Sequence, residues 1–261
     1  MGRFPATGVA TGVGSLPGVH APEAARIVAG ELTDFPHLAE LPDRGPWSDM
    51  IGRSCALLVD LPAELSVGRW QLTDRRGRDL ARAVSLMGED LDAHEEALEL
   101  FQGTCKLQIC GPLTLAATIE MRSGERALAD PGAVRDLTTS LAEGLTAHIR
   151  QLRQRLPGVD AAVVQLDEPA MTGVLAGSIP TVSGFRRLPA IAPSHANQLL
   201  RQLTSSIRSE AAFPVVHSCA DDLRIDFLVE LDVSALSFAV PQRDPSAGQD
   251  LLHSSQTTCH I

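Results

Sequence analysis

The sequence predicts an α/β chain built on a (β/α)8 TIM barrel, incomplete at about seven strands. Three observations carry that expectation. Apolar runs of strand length alternate with amphipathic helical stretches through most of the 261 residues, as parallel strands joined by crossover helices require. Polar and chemically active residues crowd at the C-terminal ends of the strand-like runs, where barrel sites are assembled. No low-complexity linker and no short repeat interrupts the alternation.

Residues 10–15 are the first expected strand and run into a tight turn at Leu16-Pro17. A helix covers 22–31, and residues 35–41 form a second strand stopped by Pro42. The next helix is read over 46–59, with Pro46 at a first position where its missing N–H is no loss. Met50, Ile51, Cys55 and Leu58 fall at helical spacing along it. Residues 65–72 read as a third strand. Over 79–101, Leu80, Val84, Met87, Leu91, Leu98 and Phe101 make a one-sided helical pattern. Residues 105–110 are the fourth strand. Asp130-Pro131 is an N-cap followed by proline, and opens a long helix with the stripe Val134, Leu137, Leu141, Leu145, Ile149, Leu152 and Leu156. A fifth strand covers 161–167, a helix 194–207, a sixth strand lies around Val215, a short helix covers 225–231 and a seventh strand 233–239. The catalytic domain is thus expected over residues 1–240, followed by an irregular polar tail over 241–261.

Net charge is −10 without a basic run, which argues against nucleic acid and anionic membranes as partners. No apolar run approaches the ~18 residues of a membrane span. Lys106 is the only lysine, a bias that reads as coding preference rather than function. Cys55, Cys105, Cys110, Cys219 and Cys259 are odd in number and lack framework spacing, so they read as reduced thiols of a cytoplasmic protein. The opening residues do not read as a signal peptide.

Four stretches carry chemistry. Gly12-Val13-Gly14-Ser15-Leu16-Pro17 sets glycines where backbone must approach a ligand closely, with a hydroxyl at the strand end. A plain tight turn is the simpler alternative. Gly111-Pro112-Leu113-Thr114 turns the chain from strand to helix. In Gln165-Leu166-Asp167-Glu168-Pro169, Gln165 and Asp167 share one strand face, opposite Val164 and Leu166. A carboxylate ending a buried strand calls for a partner or a ligand. Helix capping by Asp167 or Glu168 is the structural alternative. His217-Ser218-Cys219 places an imidazole and a thiol on one side of a strand end, two of the donor types zinc prefers. Taken alone, a buried structural pair is the simpler alternative.

In this order and at barrel intervals, the four stretches resemble the C-terminal catalytic domain of cobalamin-independent methionine synthase, in the superfamily that includes uroporphyrinogen decarboxylase. The resemblance covers roughly residues 8–240 and fits a short, single-domain relative. It implies a methyltransferase of methionine biosynthesis that moves a methyl group from a folate-type donor to the thiol of homocysteine, with zinc activating the thiolate. It implies that Val13, Gly14 and Ser15 bind the amino acid, that Asp167 pairs with its ammonium as the catalytic and substrate-binding carboxylate, and that His217 and Cys219 bind zinc. The partners implied are small molecules, with no nucleic acid and no membrane.

The sequence departs from the family pattern at three places. Ser237 and Phe238 stand where the strand after His-x-Cys brings a glutamate ligand. The second cysteine ligand, near the last strand, has no counterpart, although Cys259 and His260 have ligand chemistry. Gly52 follows Asp49-Met50-Ile51 where a carboxylate is expected. Two other readings stay open: a metal-free enzyme like uroporphyrinogen decarboxylase, to whose Arg-rich cleft Arg186 and Arg187 could contribute although Arg near the first strand is limited to Arg3, and a non-catalytic barrel remnant. Without an eighth strand, the seventh and first would both be open edges, and open edges pair with other chains. The chain alone is therefore expected to self-associate and to show little methyltransferase activity.

Overall fold

A computed structural model describes residues 3–220 and 222–239. Its centre is a parallel sheet of β3 (Gly103–Cys110), β4 (Val159–Asp167), β5 (Phe213–Ser218) and β6 (Ala235–Phe238), in that order. Two further extended segments continue the sheet beyond β3. His37 bridges Lys106 in parallel, and Ser15 bridges Glu40 in parallel. The order is therefore 10–15, 35–41, β3, β4, β5, β6. Helices connect these segments: α1 (Ala21–Glu31), α2 (Met50–Leu57), α3 (Arg78–Ala97), α4 (Pro112–Thr118), α5 (Pro131–Arg155), α6 (Met171–Ala176), α7 (Pro193–Ser209) and α8 (Ile225–Leu228).

β4 shows why the sheet forms. Its residues from Ala161 to Asp167 are all buried, the near-continuous burial of a parallel strand covered on both faces. Val164 and Leu166 belong to the large core shared with the helices. Val163 packs with Phe35, Val215 and Ala235 on the inner face, and Gln165 and Asp167 follow it toward the strand end. On the outside, every residue of the expected α5 stripe is buried. Asp130 accepts from the N–H groups of Gly132 and Ala133 and starts that helix. Where α5 crosses the end of α2, Gly144 lies so close that a Cβ would sit 1.6 Å from the Leu57 carbonyl oxygen.

Several expectations need correction. Residues 65–72 are not a barrel strand. They lie in an antiparallel hairpin of β1 (Ala63–Ser66) and β2 (Arg69–Leu72). Val67 and Gly68 both take positive φ, 49° and 78°, the paired left-handed conformation of a two-residue hairpin turn. The parallel segments of the central sheet among the described residues therefore number six, not seven. The 46–59 helix begins only at Met50, because Asp49 caps it by accepting from the Gly52 N–H. Pro46 stays in the preceding turn, its carbonyl 2.1 Å from where a Gly52 Cβ would be. No carboxylate could stand at that position without moving the turn. Val84 faces solvent rather than the core. Residues 10–15 join the sheet only at Ser15. Cys259, His260 and the rest of the expected tail lie outside the described residues. No helix among those described is long and apolar enough to cross a membrane.

Candidate functional site

The strand ends hold a buried polar cluster that begins with the glycine turn. Gly14 has φ 146° and a Cβ there would come within 2.7 Å of the Gln108 side chain; at Gly12 it would come within 2.4 Å of the His37 ring. The glycines let this turn lie directly on side chains of the neighbouring strands. The Val13 carbonyl consequently points inward and accepts from Lys106 Nζ at 2.9 Å and Gln165 Nε2 at 3.0 Å. The Val13 side chain remains exposed. The Ser15 hydroxyl faces Glu40 Oε2 at a long 3.5 Å.

Lys106 and Gln108 lie two apart on β3 and share its inner face, as Gln165 and Asp167 do on β4. Lys106 donates to Gln108 Oε1 at 3.0 Å and to Gln165 Oε1 at 3.1 Å, and Gln165 Nε2 donates to Asp167 Oδ1 at 2.6 Å. Burial pushes the Lys106 ammonium down to about 8, although Asp167 and Glu40 pull the other way. Burial and then the Glu40 charge push the Asp167 carboxyl up to about 7, against the pull of Gln165 and Lys106. A cation arriving at Asp167 would favour its charged form.

Glu40 belongs to a second, deeper network. Arg53 and Arg44 both reach Asp90 in nearly dry surroundings, and Arg53 Nε lies 3.4 Å from Glu40 Oε1, an ion pair without hydrogen-bond geometry. The next carboxylate, just past the end of β4, has a structural task. Glu168 accepts from the Leu113 N–H and from the Thr114 N–H and hydroxyl, so it caps the start of α4. A Cβ on Gly111 would come within 2.3 Å of that carboxylate. The capping alternative thus holds for Glu168, while Asp167 turns to the inner network.

A cavity of about 470 Å³ opens beside the cluster. Thr11, Gly12 and Val13 from the first segment and Leu236, Ser237 and Phe238 from the last line it together, so the sheet curls until its two ends face one space. Lys106, Gln165, His217 and Cys219 also line it. Gly14, Ser15 and Asp167 do not; Asp167 is held one hydrogen bond behind Gln165. His217 Nδ1 meets the Ser237 hydroxyl at 2.9 Å, and burial, then Lys106, lowers its proton affinity. Cys219 is exposed, just past the end of β5. Arg3, Arg186 and Arg187, the cations a polycarboxylate substrate would need, are not in the cavity wall.

This chain matches the family described as "Cobalamin-independent synthase, Catalytic domain" over residues 8–256. It belongs to that family. The expected resemblance therefore holds at the level of the family, and with it a methyltransferase role. A solved B12-independent methionine synthase from Shewanella sp. W3-18-1, in complex with selenomethionine, has a similar fold at 12% identity, with a TM-score of 0.56 over 96% of this chain and 79% of that one. No curated protein matches.

Among the described residues of this synthase-family domain, zinc does not find a complete set of donors. Among the described residues no three His, Cys, Asp or Glu side chains come together as a metal site. His217 and Cys219 share the cavity, but Ser237 faces the imidazole and Phe238 follows it at the end of β6. Catalytic zinc takes three protein ligands as a rule. The residues missed in the sequence are Lys106, Gln108 and Glu40. For Lys106 and Gln108 a signal was present: polar residues alternating on β3, a strand otherwise apolar, mark an inner polar face.

Proposed function

We propose that this domain moves a methyl group from a folate-type donor to the thiol of homocysteine, a step of methionine biosynthesis. The observation that carries the reading is the convergence of Val13 and Asp167 on Gln165, beside a cavity that also holds His217 and Cys219. Asp167 takes the ammonium of the amino acid, which neutralises a carboxylate that burial alone disfavours. The turn at Val13, Gly14 and Ser15 holds the carboxylate end through backbone N–H groups and the Ser15 hydroxyl. The thiol then extends toward the cavity. Transfer forms a carbon–sulfur bond and breaks the methyl–nitrogen bond of the donor. The sulfur gives up its proton, and the donor nitrogen gains one. Membership of the family supports this reading, as does the selenomethionine bound by the Shewanella protein, an analogue of the methylated product. His217 and Cys219 are the zinc-donor side chains of the cavity, and with two donors in hand no step is assigned to metal. The test is to incubate the purified chain with homocysteine and a ¹³C-methyl folate and to follow labelled methionine by mass spectrometry. Slow formation of methionine that Asp167→Asn abolishes is expected. No labelled methionine from a chain that binds homocysteine would leave the amino-acid-binding remnant as the correct reading.

A further inference from the structure

The one lysine of the chain occupies a position that the reaction above does not explain. Lys106 is 2% exposed, and its three ammonium protons go to three neutral oxygens: the Val13 carbonyl, Gln108 Oε1 and Gln165 Oε1. No carboxylate among the described residues lies within ion-pair distance of it. A buried charge held only by neutral dipoles is costly, and an apolar side chain would satisfy packing at less cost. The charge therefore has a task. Gln165 shows which one. Lysine can only donate and an ionised carboxylate can only accept. The amide between them has one workable orientation, with Oε1 toward Lys106 and Nε2 toward Asp167 and the Val13 carbonyl. Without the cation, that orientation loses its anchor. Rotated the other way, the amide oxygen would confront the carboxylate.

We propose that Lys106 is a positioning residue for the amino-acid site, fixing the Gln165 amide so that Asp167 and the Val13–Ser15 turn are held in one frame. Asp167 Oδ1 is occupied by Gln165, and Oδ2 accepts no hydrogen bond among the described residues, which leaves it for the substrate ammonium. This inference rests on the reading of Asp167 given above, and the experiment separates the two.

Methionine is the probe, titrated calorimetrically into wild type, Lys106→Met, Gln165→Leu, the double variant and Asp167→Asn. Each single variant at Lys106 or Gln165 is expected to bind at least about tenfold more weakly. The double variant is expected to bind no more weakly than the worse single one, because both changes break one chain of contacts. Additive losses, or unchanged affinity in Lys106→Met, overturn the proposal while leaving the Asp167 reading intact. Unchanged affinity in Asp167→Asn, or no binding by wild type, overturns that reading and the proposal with it. Should Lys106→Met fail to fold, the wild type supplies the answer. A single lysine gives a single side-chain signal in [¹³C]lysine-labelled protein. Saturating methionine is expected to move its ¹³Cε resonance; a resonance that stays in place overturns the proposal.

Discussion

Glu168 Oε2 lies 2.7 Å from both the backbone nitrogen and the hydroxyl of Thr114. The second carboxylate of the Asp-Glu-Pro stretch thus fastens the end of β4 to the start of α4, and the strand end that carries Asp167 is fixed by its neighbour. Glu168→Ala would leave three buried donors without a partner. A loss of about 2–4 kcal/mol in urea unfolding is expected, with a smaller loss for Glu168→Gln, whose amide oxygen still accepts. A change within about 0.5 kcal/mol for the alanine variant would show that the cap is dispensable.

The deeper ionic network supports the 35–41 segment. Asp90, 4% exposed, answers both Arg44 and Arg53. Among the described residues, removing it leaves Arg53 buried with only the long contact to Glu40. Asp90→Ala is expected to cost about 3–5 kcal/mol, the usual range for one partner of a buried pair. Thermal and urea unfolding would measure it, and a loss below about 1 kcal/mol would mean that the network behaves like a surface pair.

Much of this architecture was legible in the sequence, and the misses have physical causes. The α5 stripe and its Asp130-Pro131 start were clear because helical period and capping chemistry agree there. The paired polar positions Gln165 and Asp167 were clear because they interrupt an apolar strand with period two. Residues 65–72 misled because a run of strand-forming residues does not reveal whether its partner is the barrel or its own hairpin. A lone lysine reads as coding preference, and only its alternation with Gln108 along apolar β3 hints that Lys106 faces inward. Glu40 escaped because its meaning comes from Ser15, Arg53 and Asp167, which approach it only in three dimensions. Glycines 12 and 14 were read as room for a ligand, and the structure shows them making room first for His37 and Gln108.

Stability should fall in mild acid through the buried histidines. His148 is pushed down from 6.5 to about 3, by burial and then by Arg53. As pH drops below ~6.5 the unfolded chain takes the proton first, so this contribution is whole above that pH and is lost as pH falls toward the folded value. By about pH 4.5 the loss from this residue is about 2–3 kcal/mol. His148→Leu should narrow the difference in unfolding free energy between neutral and acidic pH by that amount. An unchanged pH dependence would show that the imidazole is charged or solvated in the folded state.

Two donors hold a metal weakly. Zinc added to the chain should be lost on dialysis against a mild chelator, and the His217→Ala, Cys219→Ser double variant should retain only background metal. One equivalent of zinc surviving dialysis in the double variant would place the metal elsewhere.

Calorimetric binding of homocysteine, with wild type and Asp167→Asn side by side, decides whether Asp167 holds the amino acid. Loss of one partner of a desolvated charge pair costs about 2–5 kcal/mol. The variant should therefore bind at least about thirtyfold more weakly while unfolding at nearly the same urea concentration. Equal affinity in the two proteins would contradict the assignment of Asp167 to the amino acid, and with it the site proposed for this domain.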